Sequence, residues 1–248
     1  MKSALINPMG TSPMVATEMV NYLRNIDDRL RDVILICTDH RTVVAGANAA
    51  ASAIKDRYPG IRVHMVRLEF PDIHDESSLL SFLSAFIDVT KKERSYDVDT
   101  IYLNVSGGRK VQNIVLSLYA GILGIDQVYN VFDPDLENFN ARYEEVKSDV
   151  IDGFGDSSSV ERYREMKPLI ESIFYPPLSR LVFLKVGVLQ MSQDERIKLK
   201  EALSGTDFTD GSIEDYSLKA YRNSGLITYD RTRTYATELG EVILRGLA

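Results

Sequence analysis

The residues best suited to chemistry lie in two short glycine-containing stretches, Gly10-Thr11-Ser12-Pro13 and Ser106-Gly107-Gly108-Arg109-Lys110. The second follows Thr100 to Val105, an apolar, β-branched run with the character of a buried strand. It precedes Val111 to Leu123, where apolar residues return at helical spacing. A strand, a glycine turn and a helix in that order leave backbone N–H groups at the helix N-terminus, aimed at the space beyond the strand's carboxyl end. Those donors and the helix dipole favour an anion, and Arg109 and Lys110 add two positive charges at the same place. The turn suits a phosphate, although an ordinary strand-to-helix turn with two solvated cations would share its pattern. Its spacing fits neither the GxxxxGKS/T of a Walker loop nor GxGxxG.

The elements that must position these turns are legible on either side of them. Ser3 to Asn7 reads as a first strand, and Gly10 to Pro13 as a turn into a helix, with Pro13 at the first helical position and Ser12 as its N-cap. Asp32 to Cys37 is a second strand ending in Thr38-Asp39-His40-Arg41. An alanine-rich helix runs from Val43 to Arg57, a third strand from Ile61 to Leu68 and a third helix from Asp72 to Lys91. Gln127 to Phe132 is a fifth strand. Strands alternating with helices four times over predict a parallel, doubly wound sheet, in which ligands bind beyond the strands' carboxyl ends. Both glycine turns fall on that edge, as do the ends of the second and third strands, with His40 and His74. Thr11, Asn104 and Ser106 are candidate ligand donors there, with turn formation as their other role. Arg109 can take phosphate as a fork or stay solvated.

Downstream the pattern weakens. Asp133 to Asn140 reads as a polar loop, Ala141 to Ile151 as strand or helix, and Gly153 to Ser159 as a flexible link. Val160 to Phe174 is helical, and Arg180 to Leu189 has the composition of a strand returning to the first domain's sheet.

Composition narrows the function classes. The 248 residues suffice for one large domain or two small ones. The net charge of −7 argues against broad, sequence-independent binding of nucleic acid, though not against a small anion in a local basic pocket. The one cysteine, Cys37, lies in an apolar run, so neither a disulfide within the chain nor a cysteine metal site is expected, which suits the cytoplasm. The start lacks the pattern of a signal peptide, and no segment has the length to cross a membrane. His40, His64 and His74 lack metal-ligand spacing. Arg57 to His64 matches the Rx6H pattern of HEPN ribonucleases, but it spans a helix end, Pro-Gly and a strand. The C-terminal part has no histidine to form another such pair.

After Met191 the character changes. Asp194 to Leu203 and Ser212 to Ser224 read as helices, Leu226 to Ala236 as two short strands with a tight turn, and Thr237 to Leu247 as a last helix. That order resembles a winged helix-turn-helix, against the alternative of a helical cap or dimerisation module. Two domains follow, 1–190 and 191–248. The second carries eight Lys and Arg against ten Asp and Glu, a net charge of −2, which is a poor footprint for DNA. Lys219, Arg222, Arg231 and Arg233 could still form a local basic face.

NVSGGRK after a strand, with MGTSP closing the first strand, resembles the CARF domain, the Rossmann-like sensor of cyclic oligoadenylates in CRISPR systems. GTSP with SGGRK is most similar to the first family of CRISPR ring nucleases, which cut cyclic tetra-adenylate. The agreement in element order extends over roughly the first 190 positions. The resemblance implies a homodimer with the ring at its two-fold axis, and an attack by the ribose 2′-hydroxyl on its own phosphate that needs no metal and no cofactor. It implies Lys110 as the catalytic cation and Ser12 as the other active-site position. Gly10, Thr11, His40, Asn104, Ser106, Gly107, Gly108 and Arg109 would then line the ligand. The competing reading is a transcription regulator that binds the ring intact and docks its winged helix on DNA.

Overall fold

Lys2–Pro8 (β1) is the strand around which the sheet is laid, because its side chains from Ser3 onward are buried and it has a neighbour on each side. The computed structural model describes residues 1–209, 211 and 213–247, with the backbone alone at 136–140. After β1 come Met14–Ile26 (α1), Leu30–Cys37 (β2), Arg41–Arg57 (α2), Arg62–Arg67 (β3), Glu76–Ser95 (α3), Val98–Asn104 (β4), Lys110–Tyr119 (α4), Gln127–Phe132 (β5), Leu136–Phe154 (α5), Val160–Phe174 (α6) and Val182–Val186 (β6). The strands lie in the order β3-β2-β1-β4-β5-β6. The first five in sequence are parallel, and β6, within the segment expected to return to this sheet, pairs antiparallel with β5. The winding reverses between β1 and β4, and such a reversal opens a crevice at the carboxyl edge.

Helices cover both faces. On one, the small side chains of α2, among them Ala47, Ala50 and Ala53, let it pack closely with α1, α5 and α6 in a single apolar cluster. Cys37 is fully buried in that cluster. The other face is closed by α3 and α4, through Phe82, Phe86 and Leu116.

Two expectations need correction. A helix, α5, runs through the region read as a polar loop from Asp133 to Asn140; Tyr143, Val146, Val150 and Phe154 are its buried stripe, at helical spacing. The segment read as a flexible link from Gly153 is tied to α2 at both ends. Asn48 Nδ2 donates to the Phe154 carbonyl at 2.8 Å, and Ser159 N donates to Ser52 Oγ at 2.9 Å.

The C-terminal residues form Gln193–Leu203 (α7), Asp215–Asn223 (α8), the antiparallel strands Ile227–Tyr229 (β7) and Thr234–Ala236 (β8), and Glu238–Gly246 (α9). The helix expected from Ser212 begins at Asp215, and Ser212 itself lies outside the described residues. This part is continuous with the sheet domain. Leu199, Leu203 and Ile243 share one apolar cluster with Phe82, Ile87 and Leu103, and Lys91 Nζ of α3 donates to the Arg245 carbonyl of α9 at 3.1 Å. Among the described residues no helix is long and apolar enough to cross a membrane.

Candidate anion site at the carboxyl edge

The two glycine turns are pressed together where β1 and β4 end. Asn104, fully buried at the last position of β4, holds them there. Its Nδ2 donates to Asn7 Oδ1 at 2.6 Å and to the Val15 carbonyl at 3.0 Å. Its Oδ1 accepts from Ser106 N at 3.1 Å and Ser106 Oγ at 2.7 Å. Ser106 Oγ in turn accepts from the Val131 N–H of β5. Asn104 and Ser106, expected as ligand donors, are thus engaged in the fold itself. Their hydrogen bonds join the ends of three strands to the start of α1, because buried polar groups must find partners.

Gly107 is required by close approach: a Cβ there would run into the Pro8 carbonyl and the Val15 side chain. Gly108 has φ +77°, a left-handed conformation that costs glycine nothing. A Cβ on Gly10 would lie 3.0 Å from Gly108 N, so the backbones of the two turns touch. At the start of α1 the expected cap is absent. Pro13 is already helical, at φ −66° and ψ −24°, no side chain caps the helix, and the Ser12 hydroxyl is left without a partner among the described residues.

The start of α4 is ordered by Gln112, whose Oε1 accepts from Arg109 N, and by Asn113 Nδ2, which donates to the Gly107 carbonyl at 2.8 Å. The side chains of Arg109 and Lys110 then diverge. Arg109, expected as a free fork for phosphate, makes a two-pronged ion pair with Asp72 of the loop between β3 and α3; Nε lies 2.7 Å from Oδ1, and Nη2 bonds Oδ2. That hydrogen-bonded guanidinium holds the Asp72 carboxyl below its ordinary range. The pair forms part of the wall of a cavity of about 160 Å³ that Gly10, Thr11, His40 and Gly108 also line. Lys110 points away from it, into an open groove with Gly108, Asn113, Ile114, Ser117 and Leu118. It is exposed and has no partner among the described residues. Gly108 therefore separates an occupied cation from an available one, and Ser12 and Gly107 line neither space.

Deeper in the fold, Asp133 at the end of β5 pairs with Arg180, and Glu18 of α1 is buried beside them, only 4% exposed. One Glu18 carboxyl oxygen has no hydrogen-bond partner. Burial, with the Asp133 charge adding to it and Arg180 opposing, pushes the Glu18 carboxyl up to about 8.

Sequence reasoning missed Asn7, Asp72, Gln112 and Glu18. Asn7 could be found as a polar residue inside a buried strand, and Gln112 by its place three residues after the start of the helix. Nothing in the local sequence links Asp72 to an arginine 37 positions away.

The model of a family described as CRISPR-associated protein NE0113 matches residues 12–202. Among solved structures, Enterococcus italicus Csm6 bound to cyclic hexa-2′-fluoro-hexa-dAMP superposes with a TM-score of 0.50 at 16% identity. The match covers 91% of this chain and 50% of that one, so the chain spans half the length of that Csm6. Protein VC1899 from Vibrio cholerae aligns over 99% of this chain and 66% of its own, with a TM-score of 0.37 and 8% identity. No curated protein sequence matches the chain.

Proposed function

This chain belongs to the NE0113 family of CRISPR-associated proteins, and from that premise we propose that it binds a cyclic oligoadenylate and cleaves cyclic tetra-adenylate. The likeness in fold to a Csm6 that holds a cyclic oligoadenylate analogue supports the ligand class. The observation that carries the cleavage reading is Lys110, an unpaired cation on the first turn of α4 beside the Gly108 backbone. In the reaction, the ribose 2′-oxygen forms a bond to the adjacent phosphorus as the bond from phosphorus to the 5′-oxygen breaks. The proton given up by the 2′-hydroxyl ends on the 5′-oxygen, leaving a 2′,3′-cyclic phosphate and a 5′-hydroxyl. The substrate supplies its own nucleophile, so the chain's task is to hold the attacking oxygen in line and to stabilise charge on the non-bridging oxygens. Lys110 does the second, and the unpartnered Ser12 hydroxyl, outside both spaces, would meet the ribose only where the ring extends beyond them. No metal takes part.

The active form is a homodimer. Ile114 and Leu118 of α4 are 52% and 71% exposed next to Lys110, an apolar strip that a second copy would cover. A two-fold interface presents both copies of the site to a four-fold ring. Such a nuclease would switch off the signalling of a type III system. The second reading, a regulator that senses the ring intact, draws on the order of α7, α8, the β7–β8 hairpin and α9, which suits a winged helix.

Incubation of the purified protein with labelled cyclic tetra-adenylate in EDTA tests both. Linear products ending in cyclic phosphate are expected. Tight binding without cleavage would transfer the assignment to the regulator.

A further inference from the structure

The Arg109–Asp72 pair stands in the cavity wall with both partners open to solvent, the arginine side chain at 64% and the aspartate at 36%. An ion pair so exposed is weakly held and can be exchanged for another anion. The exchange has a definite stoichiometry. A ligand bearing one phosphate replaces one carboxylate on the Arg109 fork, and its gain is nearly offset by the partner it displaces. A ligand with further phosphates meets that competition once, and then reaches Lys110 across Gly108, where no internal acid competes. We propose that Asp72 is an internal counter-anion that sets the affinity threshold of this edge, so that an anion with a single phosphate falls below it and a ligand that carries several exceeds it. The inference rests on reading the edge as a phosphate site. It assigns to Asp72 a role that neither its loop nor its turn geometry requires. The turn needs only an acceptor for the Ile73 N–H, 2.8 Å from Asp72 Oδ1, and asparagine or serine at position 72 would also supply one.

The experiment titrates wild type, Asp72→Asn and Asp72→Ser with inorganic phosphate, tripolyphosphate and cyclic tetra-adenylate, by calorimetry at fixed ionic strength. Asp215→Asn, which removes a remote carboxylate paired with Lys219, controls for the change in net charge. Both Asp72 variants are expected to bind inorganic phosphate at least about tenfold tighter than wild type. Tripolyphosphate meets the same competition once and should gain by a similar factor, while Asp215→Asn leaves both affinities alone. Phosphate binding that is unchanged, weakens or stays undetectable in both Asp72 variants would overturn the proposal. Failure of wild type to bind cyclic tetra-adenylate would instead overturn the ring-binding function, and the gain in phosphate and tripolyphosphate affinity would still decide the role of Asp72.

Discussion

Asn104 and Asn7 face each other across β4 and β1, their side-chain amides joined at 2.6 Å at the point where the sheet's winding reverses. Asn104 is the last residue of β4 and Asn7 the last but one of β1, and each strand leads into one of the two glycine turns. Asn104→Leu removes two donated and two accepted hydrogen bonds at once and leaves Asn7 Oδ1 buried without its donor. The expected loss is about 3 kcal/mol of stability by urea denaturation, with weakened ring binding as the turns separate. Stability equal to wild type would show that the amide network is incidental.

Lys110→Ala separates binding from chemistry. Single-turnover cleavage of cyclic tetra-adenylate at saturating protein is expected to fall by about two to three orders of magnitude. Binding should suffer less, since the turn backbones and Arg109 remain. Lys110→Arg should restore activity only in part, because a planar guanidinium does not take an ammonium's position. Unchanged cleavage in Lys110→Ala would remove this residue from the mechanism.

Leu118→Glu tests the apolar strip of α4. The side chain is 71% exposed in the single chain, so the substitution should shift stability of an isolated subunit by less than about 0.5 kcal/mol. A charge on a two-fold interface meets its own copy, and light scattering should report a monomer that no longer binds the ring tightly. A dimer of wild-type affinity would place the interface elsewhere.

Glu18 gives the fold a pH dependence of known sign. Its carboxyl is raised from 4.5 to about 8 in the native state, so the folded chain holds a proton that the unfolded chain has released. Stability from this group is complete below about pH 4.5, declines as pH rises towards 8, and is level beyond that. The decline is on the order of a few kcal/mol. Glu18→Gln should flatten the curve of stability against pH between 5 and 8 and raise the alkaline end, as read from unfolding midpoints across that range. A slope as steep as that of wild type would assign it to other groups, of which the buried Glu93 carboxyl, also raised by burial, is the first to examine.

Much of this architecture could be read from the chain because its signals are local. Apolar runs such as Asp32 to Cys37, broken by polar turns, mark parallel strands buried on both faces. Gln127–Phe132 and Val160–Phe174 have the limits that their composition indicated. The carboxyl-edge location of GTSP and SGGRK follows from the direction of the strands alone. What could not be read depends on partners distant in sequence. The Asp72–Arg109 pair, the burial of Glu18 beside Asp133, and the sharing of one apolar cluster by Ile87 and Ile243 are products of topology. The start of α5 was hidden for a different reason: Asp133-Pro134-Asp135 reads as a turn, and the apolar stripe becomes regular only at Tyr143.

Cys37 gives the molecule a built-in reporter. The chain's one thiol sits at the end of β2 with no exposed surface, and burial pushes it up to about 11. A thiol-specific reagent can reach it only when the sheet parts, and the thiolate that reacts is scarce until then. The labelling rate of the unmodified protein therefore measures the frequency of large-scale opening. Its slowing as an anion is added would measure how firmly the occupied carboxyl edge locks the strands beneath it.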